Sequence, residues 1–131
     1  MSRPHFLQPL LRRSTGIANL RNMRTGLAVA TTIEAAFASA DRRRGLLGRD
    51  TLPAGHAIVI APTFLVHTFG MRFAIDLLFV ARDGRVLKVR HAVPPWRIAG
   101  SLGAFAVVEL AAGQIEASGT RAGDLIEVVA G

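Results

Sequence analysis

Few side chains in this chain could do chemistry. Cysteine and tyrosine are absent, and tryptophan occurs once. That excludes disulfides, thiol nucleophiles and zinc–thiolate sites. The densest grouping of reactive types is His67-Thr68-Phe69-Gly70-Met71-Arg72-Phe73-Ala74-Ile75-Asp76-Leu77-Leu78-Phe79-Val80. A neutral imidazole at His67 can act as a base, a hydrogen-bond donor or a ligand. Asp76, and Glu109 within Val107-Val108-Glu109-Leu110, each sit among apolar neighbours, a setting suited to acid–base work. A hydrolase or lyase using His67 with Asp76 or Glu109 is therefore one reading. A metal site would need His56, His91, Asp76 or Glu109 beside His67. No H-x-H or H-x-x-x-H spacing brings them together, so no metal and no cofactor are expected. Arg72 and Arg97 could clamp an anion with their planar forks. Trp96, in the rigid Pro94-Pro95-Trp96-Arg97, offers an aromatic contact. The leading expectation is a non-catalytic binding module. In it His67, Thr68, Arg72, Trp96 and Arg97 surround a cleft for an anionic small molecule or a protein partner.

These residues need elements to position them. Alternation over 67–80 predicts one long strand with a core face (His67, Phe69, Met71, Phe73, Ile75, Leu77, Phe79) and a polar-bearing face (Thr68, Gly70, Arg72, Ala74, Asp76, Leu78, Val80). Further strands are predicted over 17–20, 27–31, 56–61, 85–93, 105–110 and 125–129, with loop over 98–103. Thr31 with Glu34 three residues on forms a capping box, so a helix is predicted over about 32–47. A shorter helix or turn is expected over 111–118. Together these predict a mainly β (α+β) single domain: a compact barrel or sandwich of short strands with one longer and one short helix.

The turn Arg82-Asp83-Gly84 sets the register of the central hairpin. A three-residue loop with Gly84 left-handed pairs Ala81 with Arg85. Phe79 then opposes Leu87, Leu77 opposes Val89 and Ile75 opposes His91. On the other face Asp76 lands opposite Arg90, as a structural ion pair and not a general acid.

Charge is uneven. Residues 1–49 hold nine Arg against Glu34 and Asp41, and the remainder is balanced. Residues 1–15 read as a flexible basic arm ahead of one globular domain over 16–131. Nucleic-acid or membrane-surface association through that arm is a further alternative. The arginines lack the interleaved aromatics of a nucleic-acid surface, so nucleic acid is not the expected partner. Residues 51–71 carry no Asp, Glu, Lys or Arg. Pro53, Gly55, Pro62 and Gly70 interrupt them, which favours short buried strands over a membrane span. A cytoplasmic location is expected.

The order Arg44-Gly45-Leu46-Leu47-Gly48-Arg49, His67 to Asp76, Pro94-Pro95-Trp96-Arg97, Val108-Glu109-Leu110-Ala111-Ala112-Gly113 and Gly123-Asp124 resembles the uncharacterised domain-of-unknown-function family 192. The likeness covers about 16–129. Relatives often carry Trp at the place of Gly70 and Pro at that of Ala74. The resemblance implies a compact β structure with short helices and brings no established reaction. Some relatives are exported, which makes export the alternative location.

Overall fold

Short runs rich in Val, Ile, Leu and Phe, each broken by a single carboxylate, read as strands buried on both faces. Ile75–Val80 and Ala106–Ala111 are two such runs, and they lie side by side at the centre of the protein. The structure, a computed structural model, describes residues 4–12, 18–38 and 48–130. Its elements in order are α1 (Gln8–Arg12), β1 (Ala18–Asn22), β2 (Ala28–Ala30), β3 (Thr32–Ala36), β4 (His56–Ile60), β5 (Leu65–His67), β6 (Ile75–Val80), β7 (Val86–Val93), β8 (Ile98–Gly100), β9 (Ala106–Ala111), α2 (Gln114–Ser118) and β10 (Ile126–Ala130).

The expected mainly β class holds, but the barrel does not. The strands form three open sheets: β3-β4-β9-β6-β7, β10-β1-β2 and the two-stranded ribbon β5-β8. Leu20, Val29 and Ile126 of the three-stranded sheet share a core with Val59, Leu78, Val80 and Val108 of the larger one. On the other face of the larger sheet, Ile58, Leu77, Phe79 and Val107 pack with Leu52, Met71 and Ala99. No helix among the described residues is long and apolar enough to cross a membrane.

Three expectations need correction. The capping-box helix does not form over its first residues. Thr32–Ala36 is a strand paired in parallel with β4, and Glu34 accepts from Arg49 instead of closing a box. Residues 39–47 of that expected helix lie outside the described residues. The stretch 67–80 is not one strand, since it leaves β5 at His67 and re-enters the sheet at Ile75. Its Phe69, expected in the core, is 40 % exposed. Third, part of the expected arm packs against the body. Leu7 is fully buried in the core, and the Phe6 N–H donates to the Arg82 carbonyl at 2.8 Å.

The central hairpin turns as expected and then departs from the expected register. Gly84 is left-handed at φ 94°, and the Ala81 N–H donates to the Arg85 carbonyl at 2.9 Å. Val80 still faces Val86, but one residue is then extruded, so Phe79 faces Lys88, Leu78 faces Val89 and Leu77 faces Arg90. The bulged Leu87 is 37 % exposed. Across a bulge the pleat loses one count, and every later side chain changes its opposite number. Lys88 is accommodated on the apolar face because its ammonium lies 5.7 Å from the Phe79 ring centroid and donates to the Gly100 carbonyl at 2.9 Å.

Candidate functional site

Thr68 organises the exposed end of the ribbon. It is buried, and its hydroxyl donates to the Pro94 carbonyl at 2.7 Å while accepting the Arg97 N–H at 2.9 Å. Its backbone N–H donates to the Arg97 carbonyl at 2.8 Å, and its carbonyl accepts the Trp96 N–H at 3.1 Å. These four bonds hold the Pro-Pro-Trp-Arg turn against the end of β5. They also hold Trp96 at φ 68°, left-handed backbone that costs a bulky residue about 1–2 kcal/mol. The indole is 66 % exposed. It stacks on Phe69, with centroids 5.7 Å apart and planes at 28°, and Phe69 lies 5.1 Å from the His67 ring. Opposed residues of a ladder share a face. His67 faces Ile98 and Leu65 faces Gly100, so Leu65 and Ile98 continue this aromatic row outward, both more than half exposed. Val66 and Ala99, on the reverse side, belong to the core.

The edge of this ribbon is partly closed. The Thr63 hydroxyl donates to the Leu65 carbonyl at 3.0 Å and accepts the Leu65 N–H at 3.3 Å. The outward backbone groups of Leu65 are thereby occupied, which protects the edge from strand addition.

Of the expected site residues, His67, Thr68, Trp96 and Arg97 come together here. Arg72 is engaged by Asp50 at the surface. The Arg97 guanidinium lies over its own loop, 3.4 Å from the Pro95 carbonyl and 3.3 Å from that of Trp96.

The carboxylates tell a different story. Asp76 is fully buried, and its partner is not Arg90. Arg90 faces Leu77, and no ion pair joins it to Asp76 among the described residues. Instead Asp76 Oδ1 accepts the Ala92 N–H at 2.8 Å, and Oδ2 accepts the N–H groups of Gly113 and Ile115, both at 3.0 Å. Ala92 adopts φ 47° at a second bulge in β7, which turns its N–H toward the carboxylate. Asp76 thus ties the β7 bulge to the start of α2. Glu109 faces Leu77 across β6, whereas Asp76 faces Leu110. The two acids therefore project from opposite faces of the sheet. They form no pair, and His67 stands apart on the exposed ribbon.

Glu109 is 3 % exposed. Its Oε1 has no hydrogen-bond partner among the described residues. Burial pushes its carboxyl up to about 7, and the nearby Arg49 pulls against that rise. Sequence reasoning missed one buried polar cluster, built on Asp124. Its carboxylate accepts from Arg24 Nε at 2.6 Å, Asn22 Nδ2 at 2.9 Å and the Arg121 N–H at 3.0 Å. The Arg24 hydrogen bond holds this carboxyl well below the usual carboxylate range. The cluster joins the β1–β2 turn to the start of β10, and the sequence signal for it was only Gly123-Asp124. No group of three or more His, Asp or Glu suited to a metal ion occurs among the described residues.

Residues 20–128 match the model of the DUF192 family, described as "Uncharacterized ACR, COG1430". No curated protein matches. Two solved structures share the fold. One is a candidate transcription regulator from Sinorhizobium meliloti, at TM-score 0.74 and 22 % identity over 86 % of this chain and 92 % of that one. The other is a protein of unknown function from Novosphingobium aromaticivorans, at TM-score 0.72 and 22 % identity over 85 % of this chain and 83 % of that one.

Proposed function

The chain belongs to the DUF192 family, and from that premise we propose that it is a non-catalytic module that binds a protein partner through the aromatic face of the β5–β8 ribbon. The observation that carries this reading is Trp96. A large side chain is kept in a left-handed backbone by four hydrogen bonds to Thr68, yet most of its indole surface faces water. Strain of this kind persists where the surrounding structure over-determines it, and it gathers at binding sites. Ala92 offers the contrast: its positive φ serves a buried hydrogen bond to Asp76. The Trp96 N–H is bonded too, to the Thr68 carbonyl, but among the described residues its side chain gains a stack on Phe69 and otherwise stays mostly in water.

Phe69, Trp96, Ile98 and Leu65 make a contiguous exposed apolar patch of the kind that marks partner surfaces. Trp is the residue type most often dominant in such contacts. An anionic ligand is the weaker reading, because Arg72 is already engaged by Asp50 and Arg97 lies over its own loop carbonyls. The same two pairings weigh against duplex DNA as the ligand of this face.

The test uses a phage-displayed random peptide library selected on the intact protein. Trp96 is the sole tryptophan, so a peptide that covers it should move the emission to the blue. The variant Trp96→Asn, whose side chain tolerates left-handed backbone, should weaken the selected peptides at least about tenfold, the scale of a dominant contact. Peptides that bind the variant as well as the wild type, with no change in emission, would remove this face as the binding site.

A further inference from the structure

The buried face of the large sheet that carries Glu109 has an ordered arrangement of charge. Pairing in the sheet sets five residues in one row: Glu34 on β3, Ile58 on β4, Glu109 on β9, Leu77 on β6 and Arg90 on β7. Neighbours in such a row share a face, with strands about 4.8 Å apart. Glu109 therefore stands at the middle, two strands from an acid at one edge and two strands from a cation at the other. Isoleucine and leucine intervene on either side.

Above this row runs 48–52. Leu52 is buried and anchors its end, whereas Gly48 is left-handed at φ 82° with open space where a side chain would stand. Between them, Arg49 holds Glu34 with both ends of its guanidinium, at 2.8 and 3.2 Å. That pair is at the surface, with both side chains 40 % or more exposed. Arg49 also lies within electrostatic reach of Glu109.

We propose that Glu34 and Glu109 are alternative partners of Arg49, and that loss of the Glu109 proton draws the Arg49 guanidinium off the sheet edge toward the buried carboxylate, carrying 48–50 with it. A neutral Glu109 tolerates its apolar row, and Arg49 is left to the exposed Glu34. An ionised Glu109 with an empty Oε1 is costly in that setting, because a buried charge needs a partner. Arg49 can serve, since its present bond at an exposed site is worth little.

The other charged groups around this face have fixed positions. Lys88 is held to the Gly100 carbonyl, and Arg90 lies beyond Leu77 at the β7 edge. His56 is one row along on β4, and Asp50 is engaged by Arg72. Asp41 and Arg42 to Arg44 lie outside the described residues. The position of the Glu109 carboxyl at about 7 places the exchange in the neutral range.

The experiment is NMR on the intact protein across about pH 5 to 9, following the Glu109 carboxyl carbon and the Arg49 Nε–Hε signal, a window that brackets the raised carboxyl. Both should move with one midpoint near neutrality in the wild type. Glu109→Gln, which keeps the shape of the protonated acid, should leave the Arg49 signal flat. Glu34→Gln releases Arg49 and should shift the Glu109 midpoint downward by about one unit, a tenfold weaker hold on its proton. An Arg49 signal that stays flat while Glu109 titrates overturns the exchange. So does a Glu109 carbon that does not titrate in the window, or an Arg49 response that survives in Glu109→Gln.

Discussion

Replacing Asp76 with Asn exchanges one carboxylate oxygen for an NH2 and should cost the protein a large part of its stability. The carboxylate accepts three backbone N–H bonds in a fully buried site, one at Oδ1 and two at Oδ2. An amide offers one acceptor end. In its better orientation the Asn oxygen keeps Gly113 and Ile115, and its NH2 is then set against the Ala92 N–H, donor to donor. An unsatisfied buried N–H costs about 1–3 kcal/mol, and two bonds fall from charge-assisted to neutral strength at about 1 kcal/mol each. The removed charge no longer has to be desolvated, which offsets part of this. The expected loss is about 3 kcal/mol. In a domain of this size that lowers the melting temperature by about 10 °C. Urea unfolding followed by far-UV circular dichroism reads it directly, with the slope unchanged if the native state keeps its compactness. Asp83→Asn, at an exposed turn where the side chain accepts, among the described residues, the Arg85 N–H alone, is the control and should fall within about 0.5 kcal/mol of the wild type. If Asp76→Asn also falls within about 1 kcal/mol, the carboxylate does not anchor the β7 bulge to α2, and the reasoning fails.

Gly84→Ala should destabilise by at least about 2 kcal/mol, because φ is 94° and the new Cβ would stand 2.4 Å from the Ile126 carbonyl oxygen; chemical denaturation measures it. Two carboxyls give stability opposite slopes against pH. Asp124 is depressed in the fold, so its contribution is present above the ordinary value of 3.8 and is lost as the pH falls below it. Glu109 is raised from 4.5 to about 7, so its contribution is full below 4.5 and about 3 kcal/mol is lost as the pH rises to 7. From these two groups, maximum stability falls at about pH 4, between 3.8 and 4.5. Glu109→Gln should flatten the neutral arm and Asp124→Asn the acid arm, both read from denaturation midpoints across pH.

The sequence spoke clearly where structure is local. Most strands stand within two residues of their expected places, and the Arg82-Asp83-Gly84 turn has the expected pairing of Ala81 with Arg85 because glycine chemistry dictates it. It was silent where one residue is extruded. Nothing in Val86-Leu87-Lys88 marks Leu87 as the bulge, yet that single count removes Arg90 from Asp76. Thr31 and Glu34 carry a genuine helix-start pattern. What outweighs it is pairing with His56–Ile60, some twenty residues away, which no local period reports. β8 was missed for the same reason, since its three residues are a strand only because β5 lies beside them. Glu109 was legible as a carboxyl among apolar neighbours, and Trp96 as an aromatic on a rigid loop. The hydrogen bonds that make Thr68 the organiser of that loop span 26 to 29 residues and could not be read from spacing.

The pairing of β1 with β10 has a mechanical consequence. Ala18 faces Ala130, and the strands run away from that rung in opposite directions along the chain, to Asn22 and Ile126. A force applied between Ala18 and Ala130 therefore loads one rung at a time, as in a zip, and never shears the whole ladder at once. The first rungs resist weakly. Peeling then meets the Arg24–Asp124–Asn22 clamp at the far end of the pair, where several charge-assisted bonds must break together. Extension from these two points should show a soft onset followed by one distinct barrier, and the barrier belongs to Asp124.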